Sequence, residues 1–252
     1  MISQPDLTFF CELPITELES LFSDPALIKK LRRLNANISM GLQDFSTSRA
    51  EIVKKLTKAV IPVTAWLLLP KDQGYWTNLD TVSATGRCYG QFKQWTNENN
   101  LEWAAIGLDI EPSLQRMELL TPKWRNQLLD TIWRLFKGSF YRNAHNDLRA
   151  LINLIRSDGY PVETYNLPVV IEERKASSEI LSRLMGTPPL DADREVLMLY
   201  TSSFDKNGDA ILKSYYRDAQ GIGLGSTGGG VELGDGQPLR SMRWIDLRRD
   251  LL

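Results

Sequence analysis

Histidine is almost absent from this chain: His145 is the only one in 252 residues. It falls on a helical stretch with polar flanks, so a histidine-based zinc site and a Ser-His-Asp triad both lack their parts. Cysteine is nearly as scarce. Cys11 and Cys88 are too few for a disulfide framework, and a chain of this length does not need a staple, so both are expected as reduced thiols. No sign of charge dominates: 30 Lys and Arg stand against 31 Asp and Glu, a formal net charge of −1. Nucleic acid is therefore a poor default partner. Long apolar runs are missing as well, and the start, MISQPDLTFF, has no basic segment followed by an apolar stretch. These absences predict a cytoplasmic protein with no membrane partner. No linker rich in Pro, Gly or Ser divides the chain and no repeat period stands out, so one domain is expected over residues 1–252.

What the chain does have is a regular alternation of short β-type runs with longer amphipathic stretches. Leu7–Leu13, Asn37–Leu42, Ile61–Leu69, Trp103–Ile110, Pro161–Leu167, Val196–Thr201 and Gln220–Leu224 read as strands. Helical spacing marks Asp24–Leu34, Arg49–Ala59, Val82–Thr96, Lys123–Phe136, Asn143–Ser157, Ser178–Met185, Asp209–Asp218 and Ser241–Leu251. Ser23-Asp24-Pro25 supplies a cap and an early proline for the first. For the second, Ser48 with Glu51 three residues on fits a capping box. A βαβα order implies a parallel sheet, and the length suits an α/β fold of the (β/α)8-type TIM barrel. An eighth strand is expected near the glycine-rich Val231–Leu239 stretch, or the barrel is incomplete there. The other candidate, an open doubly wound sheet, lacks the usual Gly-rich turn after its first strand.

In a parallel barrel the working residues sit at the C-terminal ends of strands. Those ends carry Glu12, Asp44, Trp66, Asp109, Glu111, Tyr165, Asn166 and Tyr200. The fourth strand is the most informative. In LEWAAIGLDIEP the period of two puts Trp103, Ala105, Gly107, Asp109 and Glu111 on one face, opposite Ala104, Ile106, Leu108 and Ile110. Both carboxyls point the same way, and the apolar opposite face suits helix packing. Two carboxyls this close cannot both ionise without cost, so one should hold a proton near neutral pH, as a general acid requires. Trp66, Tyr75, Trp76, Tyr165 and Tyr200 at or just after strand ends offer flat faces for sugar rings. Trp124 and Trp133, on a helical stretch, read as packing residues.

The final D-x-E of Asp109-Ile110-Glu111, with Met198-Leu199-Tyr200-Thr201, resembles the wider glycoside-hydrolase barrel superfamily. Within it the nearest is the chitinase-like family, whose strands carry D-G-x-D-x-D-x-E and M-x-Y-D. The resemblance implies Glu111 as the proton donor to the glycosidic oxygen, with Asp109 orienting the substrate's acetamido group and Tyr200 steadying it. Ala104 and Gly107 stand where that pattern has its earlier aspartates, and Thr201 where it has its last. Glu111-Pro112 is also similar to the N-E-P of retaining barrel glycosidases, with Ile110 in place of the asparagine and only Glu232 as a candidate nucleophile.

Glycines at 223, 225 and 228–230 point elsewhere, since barrels often cradle phosphate in the loops after their last strands. Gly228 and Gly229 are the candidate contacts. The spacing matches neither the P-loop nor the dinucleotide fingerprint. The reading that results is a carbohydrate-active hydrolase acting on an oligosaccharide or another small-molecule substrate. Its catalytic residues are Glu111, Asp109 and Tyr200, its substrate-binding residues Glu12, Asp44, Trp66, Tyr165, Asn166, Gly228 and Gly229, and it has no cofactor. Two alternatives stay open. One is a barrel enzyme acting on a phosphorylated small molecule with Mg or Ca held by Glu12, Asp44, Asp109 and Glu111; the other is an inactive ligand-binding barrel.

Overall fold

The computed structural model describes residues 6–113, 138–200, 208–225 and 243–251. Within them lie seven strands: β1 (Thr8–Cys11), β2 (Asn37–Leu42), β3 (Val63–Leu67), β4 (Ala105–Ile110), β5 (Val162–Asn166), β6 (Arg194–Met198) and β7 (Gly221–Gly223). They pair in chain order, every pair parallel. Helices carry the chain back between them: α1 (Ile15–Ser23) and α2 (Pro25–Arg33) after β1, α3 (Thr47–Lys58) after β2, and α4 (Val82–Asn99) after β3. Then follow α5 (Gly138–Ser157) before β5, α6 (Val169–Ala176) and α7 (Ile180–Met185) before β6, α8 (Gly208–Tyr215) before β7, and α9 (Trp244–Leu251) at the end.

The sheet is strongly curled. Phe10 on β1 meets Tyr165 on β5 edge to face at 4.8 Å between ring centroids, and Ser39 Oγ on β2 lies 2.8 Å from the Tyr165 hydroxyl. In a flat sheet with strands about 4.8 Å apart, β1 and β5 would be about 19 Å from each other. The architecture is thus a curled half-barrel of parallel strands with helices. The expected barrel type is thus seen in part: seven parallel strands lie among the described residues, β1 and β7 are not paired with each other, and the Val231–Leu239 segment, where an eighth strand or an incomplete barrel was expected, falls outside them.

Two apolar layers follow from the period of two. On the outer face Ile38, Met40, Leu42, Val63, Leu67, Ile106, Leu108 and Ile110 pack with Leu18, Phe22, Leu56, Phe92 and Ile155 of the helices. On the inner face Trp66, Leu68, Tyr75, Trp76, Tyr165, Val196 and Met198 cluster, with Leu167 and Tyr200 against them. Asp24 caps α2 by accepting from Ala26 N, with Pro25 at its first position. The cap of α3 is Ser46, which accepts from Arg49 N at 3.3 Å, so the expected Ser48–Glu51 box is corrected by two residues. Helices α1 and α6 were not expected from the sequence. The Lys123–Phe136 helix, with Trp124 and Trp133, lies outside the described residues.

Candidate active site

Strand β4 delivers Asp109 to the inner face at the C-terminal end of the sheet, and Glu111 follows two residues on. The outward side chains Ile106, Leu108 and Ile110 are all buried against helices, which fixes the inward direction of the alternate set. Trp103 departs from that set. It precedes the strand and packs outward against Phe92 and Trp95, its indole N–H donating to Thr96 Oγ1. Gly107 has a steric reason: a Cβ there would lie 2.3 Å from the Tyr165 hydroxyl, so the tyrosine occupies the space beneath Asp109.

The segment after β3 locks the end of β4 from the other side. Thr77 N donates to Asp109 O at 2.9 Å, and the buried Asn78 donates through Nδ2 to Glu111 O at 3.1 Å. Thr77 and Asn78 were missed in the sequence, where they read as loop. The one available signal was an Asn with a Thr three residues on, a local turn pattern realised as Asn78 N donating to Thr81 Oγ1.

Asp109 is 3% exposed. Burial, the Glu111 charge and a hydrogen bond with Glu111, and the Glu12 charge hold its carboxyl well above the ordinary range, against a smaller opposing effect of the Trp66 indole. Glu111 is pushed up to about 7, first by burial and then by the Glu12 charge, while the hydrogen bond from Asp109 works the other way. Asp109 is thus the proton holder of the pair, and Glu111 exchanges its proton near neutrality. Asp109 Oδ1 and Trp66 Nε1 both lack a bonded partner among the described residues. The indole nevertheless lies close enough to act on the Asp109 carboxyl, so the two groups are near neighbours.

Other expected site residues divide by position. Glu12 accepts from the Tyr75 hydroxyl, and Gln43 Nε2 donates to the same tyrosine oxygen at 3.3 Å. Tyr200 lies against the inner aromatic cluster, and its hydroxyl is pushed up by burial and by the charges of Asp109, Glu111 and Glu12. Trp66 meets Phe10 and Tyr165 edge to face. Tyr165 is 1% exposed and bonded to Ser39 and Glu163, so it fills the interior rather than lining the mouth. Asn166, one residue on, points to the helix side, donating to Thr164 Oγ1 and Glu195 Oε1. Asp44 is taken by the buried Arg49 at 2.7 Å, whose other nitrogen bonds Gly41 O. Of the four acidic groups expected to converge, Asp44 is thus held elsewhere. Among the described residues, no group of three or more His, Cys, Asp and Glu has a geometry that could hold a metal ion. His145 bonds Pro189 O, and Gly228 and Gly229 lie outside the described residues. Both cysteines are free and buried, with burial pushing each thiol up to about 11. A cavity of about 280 Å³ opens at the opposite end of the strands, lined by Thr8, Asn37, Thr64, Glu163 and Arg194, away from these carboxyls. No described helix is long and apolar enough to cross a membrane.

No family model matches the chain, and no curated protein matches it. Among solved structures, it is similar to the PgaB (BpsB) glycoside hydrolase domain from Bordetella bronchiseptica. The TM-score is 0.46 at 10% identity, over 84% of this chain and 80% of that one. It is also similar to a xylose isomerase domain protein from Planctomyces limnophilus, with a TM-score of 0.42 at 12% identity, over 88% and 74%. Likeness of this degree says nothing about chemistry, and neither match extends to the chitinase-like family.

Proposed function

We propose that this protein is an acid–base hydrolase of carbohydrates, with Glu111 protonating the glycosidic oxygen and Asp109 holding the second proton beneath it. The observation that carries this reading is the buried Asp109–Glu111 pair at the end of β4, in which Glu111 is poised at about 7. A general acid works best when its pKa lies near the working pH. Tyr75, Trp76, Trp66 and Tyr200 supply apolar walls beside the pair, and the orphaned Asp109 Oδ1 and Trp66 Nε1 offer an acceptor and a donor to a hydroxyl-rich ligand. Tyr200 faces the same carboxyls and is placed to hold the sugar rather than to move a proton, since its hydroxyl stays neutral.

The test uses the leaving group. A panel of oligosaccharides and of 4-nitrophenyl glycosides is offered to the wild-type protein and to Glu111→Gln. On an unactivated oligosaccharide the variant should lose on the order of 10²–10⁴-fold in rate, the contribution of a positioned acid. On the aryl glycoside, whose leaving group needs little protonation, the loss should be much smaller. Equal rates for both proteins on the oligosaccharide would remove Glu111 from the chemistry.

A further inference from the structure

We infer that Glu12 is the second carboxyl of the reaction, the base that takes a proton from the attacking water, facing Glu111 across the mouth. The inference rests on the hydrolase reading above.

Placement is the first argument. Glu12 follows β1 and Glu111 follows β4, with β2 and β3 between them. Three strand spacings amount to about 14 Å along the sheet. The segment after β3 ties the two ends together: Tyr75 donates its hydroxyl to Glu12, and two residues on Thr77 N donates to Asp109 O at 2.9 Å. The Glu12 charge acts on Asp109, Glu111 and Tyr200, and no hydrogen bond joins Glu12 to Glu111, as in an inverting pair of carboxyls, which stand roughly 6.5–9.5 Å apart.

The second argument is how firmly Glu12 is held. Its Oε1 accepts the Tyr75 hydroxyl, which Gln43 braces, while Oε2 takes no hydrogen bond from any described residue. Tyr75 stands at φ 64 and is 3% exposed. A bulky aromatic in the left-handed region is strained, and such strain persists where the surroundings impose it. Gly41 lets Glu12 lie inward, because a Cβ there would sit 3.3 Å from Glu12 Cγ. The ionisable groups acting around Glu12 are Lys71 and Tyr75 after β3, Asp109 and Glu111 at β4, and Tyr200 after β6. Burial raises the Glu12 carboxyl above its ordinary value, while the Tyr75 hydroxyl and Lys71 work the other way and favour its ionised form.

In the step itself, Glu111 gives its proton to the glycosidic oxygen as the bond from that oxygen to the anomeric carbon breaks. The water oxygen bonds the same carbon from the opposite face, and its proton passes to Glu12. One water is consumed, two sugars leave, and the anomeric configuration inverts. Glu12 then returns its proton to solvent and Glu111 regains one.

The experiment runs on the full chain with Glu12→Gln and Tyr75→Phe, each checked for folding by circular dichroism. Without substrate, a ¹³C-carboxyl NMR titration should show the Glu111 midpoint lower in Glu12→Gln, because a like charge has gone. With a 4-nitrophenyl glycoside that the wild type cleaves, Glu12→Gln should lose on the order of 10²–10⁴-fold. Tyr75→Phe should lose less turnover than Glu12→Gln and move the acidic limb of kcat/KM to higher pH, since the ionised Glu12 loses a donor. ¹H NMR should show the inverted anomer first. An unmoved Glu111 midpoint, wild-type turnover in Glu12→Gln, or a retained anomer overturns the assignment. If Glu111→Gln is impaired on oligosaccharides and Glu12→Gln is not, this inference fails and the hydrolase reading stands. If no glycoside in the panel is cleaved, both fail, and the NMR titration still reports whether Glu12 belongs to the carboxyl cluster.

Discussion

Glu111 costs the fold something in return for its raised midpoint. Its ordinary value is 4.5 and its folded value about 7. Below about 4.5 both states hold the proton and no stability is lost. As the pH rises from there to about 7, the unfolded chain releases a proton that the folded chain keeps, so stability falls; above about 7 the deficit is constant. Glu111→Gln has no such deficit. The variant should match the wild type in thermal stability at pH 4 and exceed it at pH 8, by on the order of 3 kcal/mol at most. Thermal unfolding across that range measures the difference. A gap already full at pH 4 would mean that packing, and not ionisation, separates the two proteins.

The helix α3 tests how local chemistry sets an element's start. Ser46 Oγ accepts from Arg49 N, and Asp44 accepts from Ser46 N at 3.0 Å while pairing with Arg49, so the turn after β2 and the first turn of α3 are one hydrogen-bonded unit. Ser46→Ala should lower stability by about 1 kcal/mol, the usual worth of an N-cap, and Ser48→Ala by less than about 0.5 kcal/mol. Urea unfolding of both variants checks this, and the reverse order would restore the box expected from the sequence. The error was legible in kind: Ser46, Thr47 and Ser48 are all capping residue types, and only the Arg49 contacts choose among them. Helix α6 escaped for another reason. Val169, Val170 and Ile171 are β-branched and carry little helix preference, yet the structure buries Val170 and Ile171 against Leu197 and Leu199 as a helix face. Helix α1 falls in the stretch left unassigned between the expected strand Leu7–Leu13 and the expected helix Asp24–Leu34, although Leu18 and Phe22, four apart and both buried, carry its helical spacing.

Across the molecule, strands and their inward faces could be read from the sequence because a parallel sheet covered by helices imposes apolar runs and a period of two. That period placed Asp109 and Glu111 together. It also separates Tyr165 from Asn166, which cannot share a face as neighbours on one strand. What could not be read was contact between distant segments, the Tyr75 clamp on Glu12 and the Asn78 bond to Glu111 O, which no local pattern encodes. The pairing of Asp44 with Arg49, five residues on, is local, but the strand-end position of Asp44 pointed to the mouth instead. Glu12, Asp109 and Glu111, from the ends of two strands, all act by charge on the buried hydroxyl of Tyr200 at the end of a third. The most direct test is kcat/KM against pH on a cleaved oligosaccharide, for the wild type and for Glu111→Gln shown to be folded. The account predicts a wild-type profile whose basic limb falls near 7, where Glu111 loses its proton, and a variant slower by on the order of 10²–10⁴-fold with that limb gone. A variant with wild-type turnover, or one that keeps the same basic limb, would contradict it.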